Sequence, residues 1–146
     1  MAEASPSADS VALIVRGVRH LARRLRAERP TGSVSGSALG VLATLHRLGP
    51  MPAVELARNE RLKPQSLTRL IAALSADGLI ARRPHSTDGR AWSIEITKAG
   101  RGALLHTVAA ERAWLAGEMA SKLSKREQRQ LVNAALLMLK LAIEDA

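Results

Sequence analysis

Cysteine, phenylalanine and tyrosine are all missing from this 146-residue sequence, and tryptophan occurs only twice. Without a thiol there is no disulfide framework, no thiolate metal site and no cysteine redox switch. The four histidines, His20, His46, His85 and His106, never recur at i, i+3 or i, i+4, so no local spacing argues for a metal site. Acidic residues are mostly isolated, which leaves paired-carboxylate catalysis without a candidate. No G-x-S-x-G, P-loop, H-E-x-x-H or Rossmann fingerprint occurs. The sequence therefore implies no enzyme, no cofactor and no metal. Long hydrophobic runs are lacking as well. The longest mainly apolar run, Leu131 to Ile143, is interrupted by Asn133 and Lys140 and is too short to span a bilayer. The opening M-A-E-A-S-P-S-A-D-S is polar and acidic, unlike a signal peptide. A cytoplasmic protein with no membrane partner is the expectation.

Positive charge is what the sequence has in excess. Lys and Arg number 22 against 13 Asp and Glu, a formal net charge of +9, which favours a polyanionic partner. The length suits one domain with a sizeable core. Residues 49–97 hold seven basic and five acidic side chains, so this segment is not the most basic part of the chain. Placement is more telling than the total, because Lys63, Arg69, Arg82, Arg83 and Arg90 gather on one helix and one hairpin of it.

That helix and hairpin lie in Arg61 to Thr97. Pro64 can open a helix, since its missing N–H falls where no intrahelical partner exists. Leu67, Leu70, Ile71 and Leu74 recur at i, i+3, i+4, i+7 and form one apolar stripe. Gln65, Thr68, Arg69, Ala72 and Ala76 then face the other way. Gly78 suits the left-handed residue that ends a helix. The outward face offers an amide, a hydroxyl and a guanidinium, then small alanines. Such a face fits a DNA major groove, where Gln and Arg can bond base edges bidentately. Leu79 to Arg83 reads as a short strand. Trp92, Ile94 and Ile96 alternate with Ser93 and Glu95 as a second strand with one buried face. Asp88-Gly89 between them is a hairpin turn signal. Arg90 can reach a minor groove or a phosphate from there, Asp88 can hold its guanidinium, and His85 can meet a phosphate. The candidate DNA-binding set is Lys63, Pro64, Gln65, Ser66, Thr68 and Arg69 on the helix with Arg82, Arg83, His85, Asp88 and Arg90 on the wing.

The ordered combination L-x-P-Q-S-L-T-R-L-I-x-x-L-x-x-x-G-L-I-x-R, D-G-R-A and I-x-I-T-x-x-G-R resembles the MarR family of bacterial winged helix-turn-helix regulators. The resemblance extends more loosely over most of the chain. It implies a dimeric transcription regulator, usually a repressor, often released by a small anionic aromatic ligand. The lack of cysteine excludes the thiol-sensing mode known among such proteins. Where the family commonly caps the recognition helix with Ser, Thr or Asp, this chain has Lys63. Lysine cannot accept from the first backbone N–H groups. Two readings stand: an open, positive helix end suited to a phosphate, or a slightly frayed end capped by water.

The flanks read as helices. Residues 1–8 are expected to be disordered. Asp9 or Ser10 can cap a helix to about Glu28, with Arg16, Arg19, Arg23, Arg24 and Arg26 on its polar side and Arg29 just past its end, read as a solvated face. Ser37 can cap a helix ending at Gly49-Pro50, and Ala53 to about Glu60 would be the first helix of the helix-turn-helix. After the wing, Thr97 can cap a long helix to about Lys122. Ser124 and Glu127 form a capping box for a last helix that is apolar almost all round from Leu131 to Ile143. Such a helix must be buried on most sides, and a chain this small needs a second copy to bury it. Trp92 is expected in the core beneath the wing, and Trp114 in a core or at the dimer interface. The fold class is thus mainly α with a small β-hairpin wing. Residues 1–35 form a tail and dimerisation helix, 36–97 the winged helix-turn-helix and 98–146 the C-terminal dimerisation helices. The function expected is a sequence-specific transcriptional regulator. It would bind double-stranded DNA as a homodimer on a near-palindromic operator, as a repressor released by a small anionic aromatic ligand. The alternatives are a small-molecule sensor acting through a protein partner and a sequence-blind architectural DNA binder. Gln65 and Arg69 on the outward face speak for base reading over both.

Overall fold

The computed structural model describes residues 5–85 and 88–142, with the side chains of 85 and 88–91 outside the description. Its described elements are α1 (Ala8–Ala27), α2 (Gly36–Leu48), β1 (Met51–Pro52), α3 (Ala53–Glu60), α4 (Pro64–Ala76), β2 (Ile80–His85), β3 (Asp88–Ile96), α5 (Lys98–Lys122) and α6 (Lys125–Ala142). The three strands form one antiparallel sheet in the order β1-β3-β2. The chain divides into two compact units, Arg29–Ala109 and Met1–Glu28 with Ala110–Ala146. No helix among the described residues is long and apolar enough to cross a membrane.

The unit of residues 29–109 owns the core. Val41, Leu42 and Leu45 of α2, Leu56 of α3, Leu67, Ile71 and Leu74 of α4 and Ile94 of β3 are all buried together. Each such side chain contributes roughly 1.5–3 kcal/mol on burial, so the apolar stripe of α4 fixes which of its faces remains outside. Ser35 caps α2, its side chain accepting from the Ala38 N–H at 3.2 Å, two residues before the Ser37 expected from the sequence. α2 and α3 are latched by the Thr44 hydroxyl, which donates to the Glu60 carboxylate. Gly40 makes room for it, since a Cβ there would lie 2.6 Å from a Glu60 oxygen. The turn between α3 and α4 places Arg61 in the left-handed region at φ 50°.

α4 ends as the sequence predicts. Gly78 has φ 71°, and the Gly78 and Leu79 N–H groups donate back to the Ser75 and Leu74 carbonyls. This 5→2 and 6→1 pair satisfies carbonyls that the helix end leaves open. Thr97 then ties three elements together. Its hydroxyl donates to the Gly78 carbonyl at 2.7 Å and accepts from the Gly100 N–H at 3.0 Å, while its N–H donates to the Leu79 carbonyl.

The other unit contains α1, α6 and the second half of α5. Ser7 caps α1, accepting from the Ser10 N–H, so the helix begins earlier than expected and Ala8 belongs to it; residues 1–4 lie outside the description. The capping box at α6 is as read. The Ser124 N–H and hydroxyl donate to Glu127, whose own N–H donates back to the Ser124 hydroxyl. Trp114 is half-buried and carries the Arg24 guanidinium over its ring, 5.0 Å from the centroid. Neither α1 nor α6 has a buried residue. Val11, Leu13, Ile14 and Val18 of α1 and Val132, Leu136, Leu137 and Leu139 of α6 are all exposed in the single chain.

Candidate nucleic-acid interface

With Leu67, Ile71 and Leu74 turned inward, α4 leaves Gln65, Ser66, Thr68 and Arg69 exposed at its start and Ala72, Ala73 and Ala76 exposed further along. The amide and guanidinium of Gln65 and Arg69 are one turn apart on a surface that is slim beyond them. The Thr68 hydroxyl donates to the Pro64 carbonyl at 2.9 Å, so it faces outward with acceptor capacity only. Pro64 is the first helical residue, and Lys63 in front of it is extended, with no side-chain cap. The Gln65 and Ser66 N–H groups therefore begin the helix uncapped, beside an ammonium group and at the positive end of the helix dipole.

The wing is built on a cross-strand register that pairs Ile80 with Ile96, Arg82 with Ile94, Arg83 with Ser93 and Pro84 with Trp92. Directly paired residues share a face, so the pleat puts Arg82 and Arg83 on opposite faces. Ile80 and Ile94 bury the inner face, and Arg82 extends from its outer end into solvent. Trp92 shares that face but is 57% exposed. The expectation that it belongs to the core is corrected: its strand position lies beyond the reach of the helices that cover Ile94. Arg83 stands on the outer face with its side chain 72% exposed, and its guanidinium forms an ion pair with the Glu95 carboxylate, the contact falling on Nε. Sequence reasoning missed Glu95, because a diagonal cross-strand contact is visible only once the register is known. His85 and Asp88 are a register pair next to an irregularity at Pro84 and His85. The side chains of His85, Asp88 and Arg90, three of the sequence candidates, lie outside the described residues.

A site of this kind can bond and position a polyanion. The helix set and the wing arginines both belong to the unit of residues 29–109, anchored at the junction of Gly78, Leu79, Thr97 and Gly100.

Comparison with known proteins agrees with this geometry. The MarR family model matches residues 35–92. An HTH-type transcriptional regulator of Mycobacterium bovis is 39% identical over 128 residues, 88% of this chain and 89% of that protein. Over 59 residues the chain is 39% identical to the HTH-type transcriptional repressor YetL of Bacillus subtilis, covering 40% of this chain and 34% of that one. The crystal structure of a Pseudomonas aeruginosa protein described as a transcriptional regulator superposes with a TM-score of 0.79 at 32% identity, over 94% of this chain and 96% of that one. With its winged helix-turn-helix, its sequence relatives and its structural likeness in accord, this chain belongs to the MarR family of DNA-binding transcriptional regulators.

Proposed function

We propose that the protein is a sequence-specific repressor that binds a near-palindromic operator as a homodimer. The observation that carries the reading is the outward face of α4, where Gln65 and Arg69 are exposed above three buried apolar residues. In this reading Gln65 and Arg69 enter the major groove and bond base edges. Lys63, with the uncapped N–H groups behind Pro64 and at Ser66, holds a phosphate, and Thr68 accepts from the DNA side. Arg82, Arg83 and His85 hold the backbone. Arg90 is assigned a minor groove or a phosphate by its place in the sequence just past the hairpin turn.

The homodimer reading rests on the exposed apolar side chains of α1 and α6 and on the groove of about 550 Å³ that they border with α5, lined by residues such as Leu21, Leu115 and Leu131. Monomeric proteins rarely leave so much contiguous apolar surface open, and a second copy presents the complementary surface by symmetry. Repression is supported by the name of the YetL relative. Release by a small anionic aromatic ligand is in keeping with the exposed Arg16, Arg19 and Arg23 of α1. A ligand that prefers the DNA-incompetent form about a hundredfold shifts the balance by roughly 2.7 kcal/mol.

The test is a gel-shift assay on the DNA upstream of the protein's own gene, with unrelated DNA as control. The proposal expects a discrete complex on the upstream fragment at protein concentrations that leave the control free. Equal affinity for both would make it a sequence-blind binder.

A further inference from the structure

The Arg83–Glu95 pair on the outer face of the wing is more than a surface ion pair. Resting on the DNA-reading function above, we propose that Glu95 is a positioning residue: it holds the Arg83 guanidinium by its Nε edge and thereby makes the wing discriminate between correctly and incorrectly docked DNA. The register explains how the pair forms. Arg83 is opposite Ser93, and Ala81 is opposite Glu95, so Arg83 and Glu95 are diagonal neighbours on one face. Such neighbours are within reach of a long side chain, and the residues flanking the diagonal, Ala81 and Ser93, are both small. The two partners differ in exposure. Glu95 retains 25% of its side-chain surface and Arg83 72%. The carboxylate is thus set back against the sheet, and the guanidinium stands in front of it.

Chemistry follows from which edge is taken. The contact falls on Nε, and the guanidinium carries four further N–H groups on its two terminal nitrogens. A guanidinium held in this way presents its outer edge in a fixed fork that suits a phosphate. DNA docked in register meets that fork. DNA docked out of register meets a carboxylate that the guanidinium no longer shields, and like charges brought together oppose binding. Specificity of this kind comes from a repulsive element as much as from an attractive one. An exposed ion pair contributes little to folding, so the pair is not explained by stability. It is also a poor arrangement for affinity alone, because the carboxylate offsets the charge that a phosphate would meet.

The experiment is a double-mutant cycle on DNA binding with Glu95→Gln, Arg83→Gln and the double variant. Each is measured on the preferred duplex and on random duplex over a range of salt, with a thermal melt to confirm folding. Glu95→Gln is expected to bind random DNA several-fold more tightly and to steepen the salt dependence, by up to about 0.9 in log–log slope for one further phosphate contact. The ratio of specific to random affinity should fall several-fold. In the Arg83→Gln background the carboxylate is unshielded towards every duplex, so the Glu95 substitution should raise specific and random affinity alike and leave their ratio unchanged. An unchanged ratio in Glu95→Gln, or the same fall in the ratio with Arg83 already removed, overturns the inference. A wild-type protein with no preferred duplex overturns the DNA-reading function itself, and the inference with it.

Discussion

Arg69 stands on α4 between two kinds of neighbour. Behind it Leu67 and Ile71 are each 2% exposed, so the helix cannot turn to hide or reveal it. Beside it Thr68 has its hydroxyl hydrogen committed to Pro64, while Gln65 and Arg69 carry the long, multiple-donor side chains of the exposed set and can bond base edges bidentately. Arg69→Ala is therefore expected to lose about 1–3 kcal/mol on the preferred duplex and to relax selectivity at one position per half-site. Binding to random duplex should change far less. Titrations on a panel of single-base operator variants measure this, and an unaltered selectivity profile would remove Arg69 from base reading.

Two elements make their own predictions. α5 begins against the end of α4, and a Cβ on Gly100 would lie 2.0 Å from the Leu79 carbonyl oxygen. That neighbour is backbone and is already engaged by the Thr97 N–H. Gly100→Ala should thus destabilise the unit by about 1–3 kcal/mol, the usual range for overpacking, visible as a lower midpoint in a thermal or urea melt. A wild-type melt would mean that the junction gives way easily. At the start of α6 the Ser124 N–H and hydroxyl hold the Glu127 carboxylate below its ordinary value of 4.5. A depressed carboxylate contributes stability that is present above the unfolded-state value and is lost as pH falls through the folded one. Ser124→Ala keeps the backbone N–H bond, the larger cause, and removes the hydroxyl one, so the Glu127 titration should move up only part of the way, which a carboxyl-detected NMR titration reads directly.

How far such elements were legible depended on whether their determinants are local. Pro64, the stripe from Leu67 to Leu74 and Gly78 define α4 almost alone, and the structure places its ends where those residues put them. Caps at α1 and α2 were displaced by two or three residues because several serines lie in each approach, and any of them can accept from the first turn. β1 went unread. Two residues have no periodicity, one of them is Pro52, and their pairing with Ile94 and Ser93 is supplied by the distant β3. Trp92 followed the alternation correctly in face but not in burial, since alternation does not say how far along a strand the core extends. Glu95 needed the register.

At the scale of the whole molecule, the apolar run of α6 expected to be buried on most sides is left open by a single chain. Leu136 is 62% exposed there, and on a monomer a charge at that position would cost little. If a second copy covers it, Leu136→Asp buries an unpaired charge and splits or unfolds the dimer. Sedimentation of wild type and variant at micromolar concentration compares the two states, and an unchanged sedimentation coefficient would clear Leu136 of any contact. Two copies of α4 related by a two-fold axis present the same Gln65 and Arg69 to two half-sites, and B-form DNA repeats its major groove on one side once per helical turn. The most direct measurement is a hydroxyl-radical footprint on the tightest duplex selected from a random pool. The account predicts protection in two symmetric patches centred about one helical turn apart, over inverted copies of one short sequence. A single asymmetric patch, or uniform protection without a recurring sequence, would contradict it.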